Sequence, residues 1–205
     1  MFTNPEQEGK KGSSFAESLD NGASSTNASH NILGINSAEL FDEEQRQRIL
    51  DTCVEELWMP CKVVGDEGLH VADRQKLKGE PTEFPFVEIR DVTKQANEEV
   101  YDFKLLGIID QDYPQVFKYS KGGYYNYHVD INPLAMTRKI SFAVILHDEN
   151  DASKNLEFLN TKLDEDVTRV GNIIIWPSFL PWRINKIEEG SLTMIVGHIH
   201  GAAFR

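Results

Sequence analysis

His128 and Asp130 end the run Lys118-Tyr119-Ser120-Lys121-Gly122-Gly123-Tyr124-Tyr125-Asn126-Tyr127-His128-Val129-Asp130. An imidazole and a carboxylate two residues apart share one face of a strand, because successive strand residues point to opposite sides of the sheet. Both are metal donors. With one further His they would form a 2-His-1-carboxylate facial triad, the usual cradle of non-haem Fe(II). Taken alone, the pair has a plainer reading, in which the two side chains bond each other or the backbone at a strand end.

The third ligand must come from elsewhere in the chain. Two later stretches bear on it: Ile173-Ile174-Ile175-Trp176-Pro177-Ser178-Phe179-Leu180-Pro181-Trp182-Arg183-Ile184-Asn185, and Gly190-Ser191-Leu192-Thr193-Met194-Ile195-Val196-Gly197-His198-Ile199-His200-Gly201. With the H-x-D strand, the Arg138 strand and Leu156-Glu157-Phe158 between them, these resemble the C-terminal half of the 2-oxoglutarate/Fe(II) oxygenase superfamily, in its prolyl-hydroxylase-like branch. The resemblance covers roughly residues 37–205 and rests on the order and spacing of the motifs. It implies a double-stranded β-helix, with His128 and Asp130 at the positions of the first His and the carboxylate of the metal triad.

The departures fall on positions that carry the family's chemistry. Trp182 stands where the family has its second metal-binding His, and an indole offers an N–H but no lone pair in the ring plane. Leu192 stands where the family has the Arg that holds 2-oxoglutarate, and Met194 replaces the Ser two residues on. A buried dicarboxylate needs a guanidinium or an equivalent set of donors, with Arg183 and Arg138 the nearby candidates for a relocated anchor. Of the other histidines, His30 lies in the N-terminal tail, His70 in a charged stretch and His147 at the far end of its strand. His198 and His200 share parity with Leu192 and Met194. The resemblance gives His200 a structural role and leaves His198 as a possible substitute ligand. Tyr119, Tyr125 and Tyr127 resemble the aromatics of the family's pocket, with core or edge packing as the alternative.

Positioning these groups requires the following elements. A core-facing helix is expected from Asp42, as N-cap with Gln45 closing a capping box, to about Trp58. Residues 62–83 read as irregular, Phe86 to Glu99 as a second helix and Val100 to Ile108 as a strand. Gln115–Tyr119 and Tyr124–Asp130 read as a hairpin about Gly122-Gly123. Strands follow at Arg138–His147, Asn155–Asn160, Thr168–Trp176, Trp182–Ile187 and Leu192–His200. Helices first and short strands after them give a mainly β, cupin-like jelly roll with the helices packed on one sheet.

The chain has 205 residues, with 21 basic and 33 acidic side chains, for a net charge of −12. This excess of acid disfavours contact with phosphate backbones, so nucleic acid is not expected as a partner. No apolar run approaches a membrane span, and no signal peptide is evident, so a soluble, intracellular protein is expected; the resemblance to phage-carried relatives implies the host cytoplasm or a virion. Cys53 and Cys61 read as two reduced thiols. Residues 1–36 are too polar to bury a core of their own and read as an arm, disordered alone or ordered on a protein partner through Phe2 and Phe15; residues 37–205 form the domain.

Three functions follow as expectations. The first is a catalytically degenerate oxygenase-like domain with no cofactor, serving as a structural or protein-interaction module in an assembly. Its similarity to compact relatives carried by bacteriophages implies a particle or accessory protein. The second is an active Fe(II)/2-oxoglutarate dioxygenase with a rearranged metal site. The third is a metal-free ligand-binding jelly roll.

Overall fold

The computed structural model describes residues 34–61, 68–133, 135–161 and 163–203. Residues 1–33 of the proposed arm, with Phe2, Phe15 and His30, lie outside the described residues, and its last residues, expected in the arm, belong to the fold. The chain enters the fold at Gly34, with Ile35 already buried, and continues into strand β1 (Asn36–Glu39). Asp42 caps helix α1 (Glu43–Asp51) through the expected capping box with Gln45. This helix ends at Asp51, about two turns before the expected Trp58. The Thr52 hydroxyl donates to the Ile49 carbonyl, and the Val54 N–H turns away to the Gln75 side chain.

The stretch expected to be irregular supplies two short strands, β3 (His70–Val71) and β4 (Asp73–Lys76), and β2 (Met59–Pro60) precedes it. Helix α2 (Phe86–Ala96) follows, and a π turn at Asn97–Tyr101 takes up residues assigned in advance to helix and strand. The strand expected over Val100–Ile108 shrinks to β5 (Leu105–Gly107). The remaining strands are β6 (Gln115–Tyr119), β7 (Tyr124–His128), β8 (Arg138–Glu149), β9 (Leu156–Phe158), β10 (Asn172–Pro177), β11 (Trp182–Ile184) and β12 (Ser191–Gly201).

They form two antiparallel sheets. The larger has the order β1-β10-β8-β12-β6-β4-β2, with β5 also pairing β12; the smaller is β3-β7-β11-β9. This is the jelly roll that the strand pattern predicts. The expected hairpin is not formed, because β6 and β7 belong to different sheets. The Gly122-Gly123 turn is instead bonded to Ile187, with the Gly122 N–H donating to the Ile187 carbonyl and the Ile187 N–H to the Gly123 carbonyl. The chain therefore crosses the sandwich at this turn.

Period two divides β12 cleanly. Leu192, Met194 and Val196 face the interior between the sheets, where they meet Tyr119, Ile145, Ile174, Trp176 and Trp182. Ile195 and Ile199 face the outer layer, where Ile49 of α1 and Phe86, Ile89 and Val92 of α2 cover the large sheet. Both faces of the large sheet are thus dry. Burial of this kind contributes roughly 25 cal/mol per Å² of apolar surface, and it fixes the register that aims His198 inward.

Candidate metal centre and its cavity

Strand β7 delivers His128 to its last position, and Asp130 follows just beyond. The Asp130 N–H donates to the Ser178 carbonyl, which ties the carboxylate to the end of β10. Trp182, opposite His128 in β11, is buried and packs against it with ring centroids 4.5 Å apart. Its indole Nε1–H donates to Asp130 Oδ2 at 2.9 Å. The Ser141 hydroxyl, itself 2.9 Å from Ser178 Oγ, donates to the same oxygen at 2.7 Å. One carboxylate oxygen is held by two donors, and Oδ1 is left facing the interior.

Two imidazoles face Oδ1. His128 Nε2 lies 3.6 Å from it and His198 Nε2 3.5 Å from it, and neither nitrogen has a hydrogen-bond partner although both are buried. The other nitrogen of each ring is committed. His128 Nδ1–H donates to the Asn126 carbonyl at 2.8 Å, and His198 Nδ1–H to Asp112 Oδ2 at 3.1 Å. A neutral imidazole that donates from Nδ1 carries a lone pair on Nε2. Two lone pairs therefore lie beside one carboxylate oxygen, a donor set suited to a cation, whether a proton or a metal ion.

Metal-bound histidines are commonly held in this way, with the far N–H on a carbonyl or carboxylate. As the side chains stand, no group of three His, Cys, Asp or Glu among the described residues is arranged to close on an ion. Adjacent ligands of an ion bound at 2.0–2.1 Å lie about 3 Å apart at right angles. The two N···O spacings, 3.6 and 3.5 Å, exceed this by about half an ångström.

Asp112 anchors the arrangement from outside. Arg138 forms a fork on it, with 2.6 and 2.7 Å bonds to its two oxygens, and His200 Nε2–H donates to Oδ2 at 2.9 Å. Burial alone would raise the Asp112 pKa, but His198, His200 and Arg138 outweigh it and hold the carboxyl below the usual range. Burial likewise works against charge on Asp130, and His128 and His198 overcome it, so this carboxyl also stays ionised. For His198 burial acts downward, while Asp112 and Asp130 act more strongly upward, and the net shift is upward.

Beside these groups lies a cavity of about 180 Å³, bounded by Asp130, His198 and Trp182 at one end and by Arg74, Tyr119 and Tyr125 among others. Tyr125 stacks between His128, at 3.5 Å between centroids, and His70, at 3.8 Å. His70 Nε2 and the Tyr119 hydroxyl share a 2.9 Å hydrogen bond.

Of the residues singled out from sequence, His128, Asp130, Trp182, His198, Tyr119 and Tyr125 come together here. Leu192 and Met194 are fully buried in the apolar interior and supply no donor. Tyr127 does not join them: it points outward and lies beneath the Arg183 guanidinium at 4.4 Å. Arg183 is taken by Glu157, which removes it as a pocket anchor, and Arg138 is committed to Asp112. Local pattern does not single out Asp112, Arg74 or the buried role of His70, whose partners lie on other elements.

No family model matches the chain, and no curated protein matches it. Solved structures do. A prolyl-4-hydroxylase from Pseudomonas putida has a TM-score of 0.63 at 16% identity, covering 82% of this chain and 94% of that one. A viral collagen prolyl hydroxylase from Paramecium Bursaria Chlorella virus-1, solved as its 2OG complex, has a TM-score of 0.59 at 13% identity, covering 85% and 100%. A 2OG-Fe(II) oxygenase family oxidoreductase from Burkholderia pseudomallei has a TM-score of 0.59 at 13% identity, covering 84% and 89%. The chain carries the fold of the 2OG-Fe(II) oxygenases. These likenesses correct the expectation that no cofactor is used, since the matched proteins are 2OG-Fe(II) oxygenases and hydroxylases and the fold points to Fe(II) and 2-oxoglutarate.

Proposed function

Starting from that fold, we propose that the protein is an Fe(II)- and 2-oxoglutarate-dependent oxygenase with a rearranged ligand set, in which His198 of β12 serves in place of the histidine that Trp182 has displaced. The observation that carries this reading is the pair of buried, partnerless Nε2 atoms of His128 and His198, which lie 3.6 and 3.5 Å from Oδ1 of Asp130. When bound there, Fe(II) would supply the activation of dioxygen that hydroxylation of a C–H bond requires. Trp182 and Ser141 hold Oδ2 and so orient Oδ1. Asp112 keeps a proton on His198 Nδ1 and leaves Nε2 as the donor atom, while the stack of Tyr125 on His128 fixes the other ring.

Anaerobic addition of Fe(II) and 2-oxoglutarate to the full chain tests this. The expected result is the weak visible metal-to-ligand band, succinate on admitting oxygen, and loss of both in His198→Ala.

A second reading is favoured by the indole at position 182 and by the buried, apolar Leu192 and Met194. It takes the domain as a catalytically degenerate interaction module, joined to a protein partner through residues 1–36, as in a phage particle or accessory protein. Absence of Fe(II) binding by the full chain, together with co-purification of a partner that removal of residues 1–33 abolishes, would favour it over the first.

A further inference from the structure

We infer that Arg74 is the guanidinium that receives the carboxylate of an acid co-substrate in the cavity beside His198 and Asp130. The register places it there. Arg74 of β4 stands opposite Phe117 of β6, and Phe117 stands opposite Met194 of β12. Residues opposite one another in adjacent strands share a face, and Phe117 and Met194 both pack on the interior between the sheets. Arg74 therefore lies in the same row as Met194, two strands away, and its side chain bounds the cavity.

Charge singles it out further. The cavity's other guanidinium, Arg138, is occupied by its fork on Asp112 and by a 3.0 Å bond to the Asp130 carbonyl. Arg74 donates from Nη1 to Gln115 Oε1 at 3.2 Å, and no carboxylate among the described residues pairs with it. Gln115 steadies the fork and leaves N–H groups for a carboxylate, whose planar pair of oxygens a guanidinium matches. The Arg74 charge reaches the cavity wall: burial raises the Cys61 pKa and lowers that of His70, and Arg74 acts downward on both, opposing the first shift and adding to the second. A volume of about 180 Å³ is that of roughly six waters, the scale of a small organic acid. Leu192 and Met194 offer such an acid nothing, so the cation has moved from β12 to β4, two strands along the same sheet.

The inference rests on the proposed oxygenase function for the identity of the acid; the placement of the cation does not. Calorimetric titration of the full chain with 2-oxoglutarate, in the presence of Mn(II), reads it out. Arg74→Met should weaken 2-oxoglutarate binding tenfold or more, and Arg74→Lys should fall between, having lost the fork but kept the charge. In the wild type, 2-oxoglutarate should slow phenylglyoxal modification of Arg74, followed by peptide mass spectrometry, which needs no variant to fold. Binding of 2-oxoglutarate by Arg74→Met within twofold of wild type, no binding by the wild type, or no protection of Arg74 would overturn the inference. If Mn(II) fails to bind while 2-oxoglutarate still binds through Arg74, the oxygenase reading falls and the acid site stands.

Discussion

Asp112 receives His198, His200 and Arg138 from strands that follow it in the chain, so one side chain sets the direction of an imidazole on the last strand. Asp112→Asn keeps the shape and removes the charge. Metal affinity, followed by Mn(II) titration, is expected to fall about 10- to 100-fold, the usual effect of losing the partner behind a metal-bound histidine. An unchanged affinity would mean that Asp112 does not position His198. At this scale the sequence was legible where short motifs carry meaning. His128, Asp130, Trp182 and Leu192 were located by order and spacing, and the structure places the first three side by side. His70, Arg74 and Asp112 were not found, because an isolated charge or imidazole in a polar stretch acquires its role only from strand pairings that local pattern does not encode.

The strands of the larger sheet were legible because both faces are apolar over most of their length, as in Asn172–Pro177, which is buried throughout. The edges were not. Strand β4 carries Asp73, Arg74, Gln75 and Lys76, a composition indistinguishable from a loop until β6 lies beside it. The mistaken hairpin has a related cause, since two strands joined by a glycine turn give the same pattern whether they pair with each other or cross to opposite sheets. A third turn can be tested directly. Gly190 enters β12 with φ +77°, and a Cβ there would lie 2.0 Å from the Glu149 carbonyl oxygen. Gly190→Ala is expected to destabilise the domain by at least about 1–3 kcal/mol, read as a lower urea midpoint. A wild-type midpoint would show that the turn relaxes without disturbing the central strand.

For the molecule as a whole, the jelly roll with helices over one sheet followed from helical spacing early in the chain and alternation later. The acid response is a property of the same scale. Burial, with help from His128 and Arg74, pushes the His70 pKa down to about 3, so the folded protein keeps this ring neutral while the unfolded chain protonates it near pH 6.5. The contribution is intact above about pH 6.5 and is lost as pH falls from there towards 3, by up to about 1.4 kcal/mol per pH unit. His70→Phe is expected to flatten this part of the stability profile in urea unfolding at pH 7 and pH 5; equal slopes for the two proteins would sink the assignment. The crossing at Gly122-Gly123 sends His128 into one sheet while His198 stays in the other. An ion gripped by both would rivet the two halves of the sandwich. Added Mn(II) should therefore raise the melting temperature, with about 2.7 kcal/mol of stabilisation at a hundredfold excess over Kd, and a chelator should reverse it. Ion release and parting of the sheets would then be a single event, with exchange as slow as the breathing of the barrel.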